Sequence, residues 1–230
     1  MAQLDQFADD TAQRLGILAR TGWLSHQPRD FQARIARLGR WREFKAGETL
    51  YLSGEEAEWM VGLAEGILEI TFPLLSDEPV VIHRAEPGFW TGEMSVLKGQ
   101  KRLISIAAAT DARVFVIPGS GIQRMLAEEP RHWQSVFDLS LRSSGIAITL
   151  LAEVLSLSPR ARVARILLRL ASQDGSVPGS QEDLGRLLGM TRSSVRRALA
   201  SLIEEGAVKS GYGVLSIRNR DLLERLSGEA

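Results

Sequence analysis

The chain has 230 residues, 44% hydrophobic and 24% charged, which gives length for two modest domains with a core each. There is no cysteine, so disulfides, thiolate nucleophiles, cysteine-type zinc sites and cysteine-ligated iron–sulfur clusters are excluded together. The formal net charge is zero but unevenly spread: from Leu157 onward 12 Lys+Arg face 8 Asp+Glu, which points this end towards phosphate.

No apolar run approaches the roughly 18 residues of a membrane-spanning helix. The N-terminus, with Asp5, Asp9 and Asp10 before Arg14, lacks the charged-then-apolar order of a signal peptide. A cytoplasmic protein without a membrane partner is expected. His26, His83 and His132 are far apart and read as surface or packing residues, so no metal site is expected.

In chain order, residues 1 to about 40 read as helical, with Phe31, Ile35 and Leu38 at helical spacing after Pro28. From Trp41 to Pro118 short β-rich runs follow, broken by glycines 47, 54, 62, 66, 88, 92 and 99. They include Thr49-Leu50-Tyr51-Leu52, Gly66 to Phe72, Val80-Val81-Ile82 and Val114 to Ile117, and predict an antiparallel sandwich or barrel. Ser120 is a helix N-cap in this reading. A break at Pro130 opens a long helix to about Ser156, on which Phe137, Leu141, Ser144, Ile148, Leu151 and Leu155 alternate spacings of four and three. This heptad seam is read as a parallel dimer helix, the other reading being a helix packed on its own β-domain.

Ser158-Pro159 then starts a helix whose apolar face is Val163, Ile166, Leu167 and Leu170. Arg162, Arg165 and Arg169 form a solvated stripe on it, with contact to DNA phosphate as the alternative. Gly175 to Gly179 reads as a loop.

The segment from Ser180 to about Glu205 is the most informative. Ser180 caps a helix and Asp183 completes a capping box. Leu184, Leu187 and Leu188 give it an inner face, and Gly189 stands where a tight turn needs positive φ. Thr191 caps a second helix with core residues Val195, Leu199 and Leu202. Arg192, Ser193, Ser194, Arg196 and Arg197 lie in its first two turns, the part of a recognition helix that enters the major groove. Arginine offers a planar fork matching guanine O6 and N7, and short serines allow close backbone approach. After Gly206, Val208 to Ser210 and Val214 to Ile217 flank Gly211-Tyr212-Gly213 as a hairpin, which makes the motif winged.

With these motifs in this order, the chain from about Trp23 to Ile217 resembles the Crp/Fnr family of the cyclic-AMP receptor protein and the fumarate and nitrate reduction regulator. The resemblance implies an α+β architecture: an N-terminal antiparallel β-roll of the cyclic-nucleotide-binding kind, a long dimerisation helix and a C-terminal winged helix-turn-helix. The expected domains are 1–129, 130–156 and 157–230. It implies a homodimeric, sequence-specific regulator that binds double-stranded DNA and works with RNA polymerase. Arg192, Ser193 and Arg197 fall where family members contact bases, and Thr191 where a hydroxyl grips phosphate.

The family's nucleotide pocket carries Gly-Glu and then Arg-Ser/Thr-Ala, the glutamate holding ribose and the arginine the cyclic phosphate. Here Gly92, Glu93 and Arg102 are in place, but Leu103 and Ile104 follow. Two bulky apolar side chains crowd a phosphate and leave it a donor short, so cyclic AMP is not the expected effector. Glu93 and Arg102 pairing with each other as a remnant is the other reading. Ala147 and Ile148 replace the adjacent hydroxyls that the cyclic-AMP receptor offers the base. The iron–sulfur mode is excluded, haem finds only isolated histidines, and an unidentified small-molecule effector, or none, remains open. The alternative function is a cyclic-nucleotide-binding signalling module acting through protein partners. An enzyme is not expected: there is no glycine-rich phosphate loop, HExxH pair or GxSxG elbow.

Overall fold

A computed structural model describes residues 11, 13–73, 80–171, 174–177, 180–211 and 215–229. Two compact units result, the first running to Gly145 apart from Val80–Ile82, the second from Ile146 together with those three residues.

Apart from the first three residues of β5, which group with the second unit, the first unit holds, among the described residues, helices α1 (Gly22–Ser25) and α2 (Arg29–Leu38) and then eight strands: β1 (Arg40–Phe44), β2 (Thr49–Tyr51), β3 (Trp59–Glu65), β4 (Leu68–Phe72), β5 (Val80–Ala85), β6 (Trp90–Thr91), β7 (Ser105–Ala108) and β8 (Ala112–Pro118). Two four-stranded sheets form, in the orders β1-β8-β3-β6 and β2-β7-β4-β5. Strands β4 and β7 pair antiparallel and alternate, Leu68, Ile70, Ile106 and Ala108 turning inward. Strands β3 and β8 are buried along nearly their whole length, as expected of strands covered on both faces. One face contributes Val61, Leu63, Val114 and Val116 to the core between the sheets. The other contributes Met60, Phe115 and Ile117 to a second core with the helices. Gly62 faces Trp90 across the β3–β6 pair, and a Cβ there would lie 2.4 Å from the indole. The glycine lets Trp90 lie flat on the strand.

The lead-in helices are part of this second core. Leu15, Leu18, Leu24, Phe31 and Ile35 are fully buried and Trp23 nearly so. Trp23 Nε1 donates to the Ser135 carbonyl at 2.8 Å and Gln27 Nε2 to Asp138 Oδ2 at 2.9 Å. Pro28 is the N-cap of α2, one position before the first turn.

Two helices of the first unit depart from the sequence reading. Helix α3 (Glu93–Lys98) falls inside the predicted β-region. Helix α4 (Gly119–Glu128) has Pro118 at its N-cap position, without a side-chain cap, so Ser120 is not the cap. The cause lies across the chain: β8 ends in register with β3, and the Gly119 N–H donates to the Glu58 carbonyl at 2.7 Å, so the turn begins there.

A 3-10 turn at Pro130–His132 leads into α5 (Trp133–Ser156). By length and mean composition alone α5 is long and apolar enough to cross a membrane, whereas the expectation concerned a continuous apolar run. Ser140, Arg142, Ser143, Ser144 and Gly145 break any continuous apolar run, but the helix average stays apolar.

The second unit holds α6 (Pro159–Leu170), β9 (Ser176–Val177), α7 (Gln181–Leu188), α8 (Arg192–Glu204), β10 (Val208–Ser210), β11 (Leu215–Ile217) and α9 (Arg220–Leu226). The expected Gly175–Gly179 loop contains β9, which pairs antiparallel with β11 and widens the hairpin to three strands. Helix α9, capped by Asn219, was not anticipated, and its Leu223 and Leu226 close the core.

Candidate DNA-binding interface and effector pocket

Helix α7 begins at a reciprocal capping box: Ser180 Oγ accepts from the Asp183 N–H at 3.1 Å, and Asp183 Oδ2 accepts from the Ser180 N–H at 2.8 Å. Those bonds, with Arg186 at 2.6 Å, hold the Asp183 carboxyl down to about 2. Gly189 ends the helix at φ +58°, a conformation that β-carbon-bearing residues avoid. Thr191 Oγ1 accepts from the Ser194 N–H at 3.3 Å and caps α8.

Val195, Ala198, Leu199 and Leu202 of α8 join Val163, Leu167 and Leu184 in one core. That core fixes which residues α8 turns outward. Arg192, Ser193, Arg196 and Arg197 are exposed, while Ser194 is half-buried. Thr191 Oγ1 lies 3.1 Å from Ser193 Oγ and donates to Ser194 Oγ at 3.0 Å, so the hydroxyls order each other. Arg192 pairs with Glu182 of α7 at 2.5 Å. Arg196 and Arg197 have no ion-pair partner among the described residues. The strands of the wing pair as Val208↔Ile217 and Ser210↔Leu215. Tyr212 and Gly213 of its predicted tip, and Val214 of the predicted second strand, lie outside the described residues.

Arg162 and Arg165 of α6 differ from the expected stripe. Arg162 donates to the Leu188 carbonyl, Arg165 to Glu153 at 3.0 Å and to the Ser227 carbonyl at 3.1 Å, and Arg169 to Glu153 at 3.2 Å. Arg162 and Arg165 thus brace the unit internally, whereas Arg169 stays exposed while pairing with Glu153, as a solvated stripe expects.

The seam residues of α5 are open: Phe137 is 68% exposed, Leu141 60%, Ile148 67%, Leu151 58% and Leu155 77%. Ser144, the polar member, is exposed as well.

In the first unit Gly92, Glu93 and Arg102 do not form an ion pair. Glu93 is 2% exposed, and its Oε1 accepts from Ser140 Oγ of α5 at 3.1 Å. Burial raises its pKa. Arg102, 3% exposed, stacks 4.1 Å from the Tyr51 ring and 5.2 Å from Trp59, and Nη2 donates to the Trp59 carbonyl. Its Nε and Nη1 have no hydrogen-bond partner in the described structure, and burial lowers its pKa. Burial also pushes the Tyr51 hydroxyl up to about 12. The remnant-pair reading is therefore wrong: each group has found a different neighbour. Leu103 is 66% exposed and Ile104 is half-buried against the inter-sheet core. What Leu103 withholds is a hydroxyl donor.

A β-roll, a long helix with an open apolar seam and a winged helix-turn-helix with exposed arginines define a DNA-binding transcription regulator. Residues 161–226 match the Crp-like helix-turn-helix domain and 41–129 the cyclic nucleotide-binding domain. The transcriptional regulator LdrP of Thermus thermophilus is 27% identical over 205 residues, covering 82% of this chain and 97% of its own. The cyclic AMP receptor protein of the same organism is 27% identical, covering 81% and 87%. A solved CRP-family transcriptional regulator, also from Thermus thermophilus, superposes with a TM-score of 0.68 at 27% identity, covering 82% and 97%. The two matched domains, in this order, and these relatives support a transcription regulator of the Crp/Fnr type.

Proposed function

We propose that the chain acts in the cytoplasm as a homodimer that reads a two-fold symmetric DNA site, with α8 of each protomer in successive major grooves ~34 Å apart. The observation that carries this is the outer face of α8, where Arg196 and Arg197 stand exposed, with no ion-pair partner among the described residues, beside Arg192 and Ser193. Thr191 and Ser194 serve the backbone of the same site. The open seam from Phe137 to Leu155 supports pairing of two α5 helices. Bound DNA presents the regulator to RNA polymerase.

The input is a small effector other than cyclic AMP. A cyclic phosphate needs an arginine turned towards it and a hydroxyl beside it. Arg102 is instead folded under Tyr51 and held by the Trp59 carbonyl, Leu103 offers no donor, and Glu93 is engaged by Ser140. Selection of bound sequences from a random DNA pool, with and without cyclic nucleotides, tests both statements. A palindromic site recovered equally in both conditions is expected. Uniform binding to every sequence would overturn the DNA assignment. Tight cyclic-nucleotide binding without salt-dependent DNA binding would favour a signalling module.

A further inference from the structure

At the root of α5, ligand atoms of Asp30, Glu129 and His132 all lie within 4.8 Å of one another. Asp30 is in the first turn of α2, while Glu129 precedes the Pro130–His132 turn and His132 ends it. His132 is 3% exposed and its ring meets Phe31 edge-on at 5.3 Å, which fixes its orientation. Its Nε2 lies 3.2 Å from Glu129 Oε2, yet the alignment makes no hydrogen bond, and the nitrogen has no other partner among the described residues. This is a buried imidazole nitrogen aimed at a carboxylate pair and left unsatisfied.

One atom shows what the cluster attracts. Arg131 Nη2 sits 2.8 Å from Asp30 Oδ2 and 2.7 Å from Glu129 Oε2, at the point where a cation bridging the two would lie. Arg34 takes the other oxygen of Glu129, leaving Oε2 turned towards the cluster. The two arginines, Arg131 first, hold the Glu129 carboxyl below the usual carboxylate range. The Arg131 side chain is 67% exposed, so it can swing into solvent without disturbing the core. An open pocket lined by His26, Gln27, Asp30, Arg131, His132 and Asp138 gives an ion access from the surface.

We propose that Asp30, Glu129 and His132 form a binding site for a first-row divalent cation such as zinc, the ion taking the place of the Arg131 guanidinium. One imidazole nitrogen and two carboxylate oxygens suit zinc or manganese and leave a fourth position for water. Asp30 is distant in sequence from the other two ligands, so the ion staples α2 to the turn that leads into α5 and replaces a surface ion pair with three coordinate bonds.

Calorimetric titration of the metal-stripped full chain with zinc chloride tests the site without reference to DNA. One ion per chain is expected, bound about tenfold or more tightly in Arg131→Ala, where the competing cation is gone. Adding Asp30→Ala to that variant should lose about tenfold or more, and the rise in Tm with zinc should vanish with it. Asp30 and Arg131 are exposed, so these variants fold. His26→Ala should leave the binding unchanged. No saturable binding to the Arg131→Ala protein, indifference to Asp30→Ala, or loss with His26→Ala (an adventitious surface ion only) would each overturn the proposal.

Discussion

Replacing Ile148 with alanine removes three carbons from the middle of the α5 seam. Each buried methylene contributes ~0.8 kcal/mol, so full burial of the three is worth ~2.4 kcal/mol. In the single chain 67% of Ile148 is open, and covering that fraction recovers about 1.6 kcal/mol per copy. A two-fold interface uses the residue twice, which gives about 3 kcal/mol, or roughly two hundredfold in the dimer dissociation constant. Sedimentation equilibrium without DNA reads this directly. Arg142→Ala is the control, because its ion pair with Asp138 is exposed and i,i+4, worth under about 1 kcal/mol. An Ile148→Ala protein that dimerises like the parent, or one weakened no more than Arg142→Ala, would refute the seam as the dimer contact.

Three further outcomes concern the DNA-binding unit. Arg197→Ala should weaken operator binding by ~1–3 kcal/mol and relax preference at one base position, read by anisotropy on a set of single-base operator variants; equal loss on all of them would mean a phosphate contact. Glu182→Ala should strengthen binding to non-specific DNA, since it frees Arg192 and removes a carboxylate beside the phosphates; unchanged non-specific affinity across a salt series would show that the pair is idle. The depressed Asp183 pKa makes the ionised form the stabilising one. Its contribution is present above the usual carboxylate range and lost as pH falls from about 4 to about 2, and Asp183→Asn should flatten that part of the stability profile measured by denaturant unfolding.

The winged motif was legible because its signals are local: Ser180, Asp183, Gly189 and Thr191 each act within three or four residues, and all four sit as their spacing predicts. The β-roll strands were legible from glycine punctuation and β-branched runs. What escaped depends on distant partners. The partners of Arg162 and Arg165 are carbonyls at Leu188 and Ser227, which helical spacing does not reveal. Arg102 and Glu93 look like an ion pair nine residues apart, but Tyr51 and Trp59 claim one and Ser140 the other. Helix α9 carried a signal that could have been used, an Asn219 cap before Leu222, Leu223 and Leu226.

The lead-in helices set a practical boundary on dissecting this protein. The cyclic nucleotide-binding match begins at residue 41, after α2 has ended. A fragment cut there would discard Leu18, Trp23, Leu24, Phe31 and Ile35, and would leave Met60, Trp90, Phe115 and Ile117 facing water on one side of a sheet. Such a piece would expose a large apolar face and associate or precipitate before any effector could be offered to it. The smallest soluble effector fragment therefore starts before Leu15, well upstream of the edge that family resemblance draws.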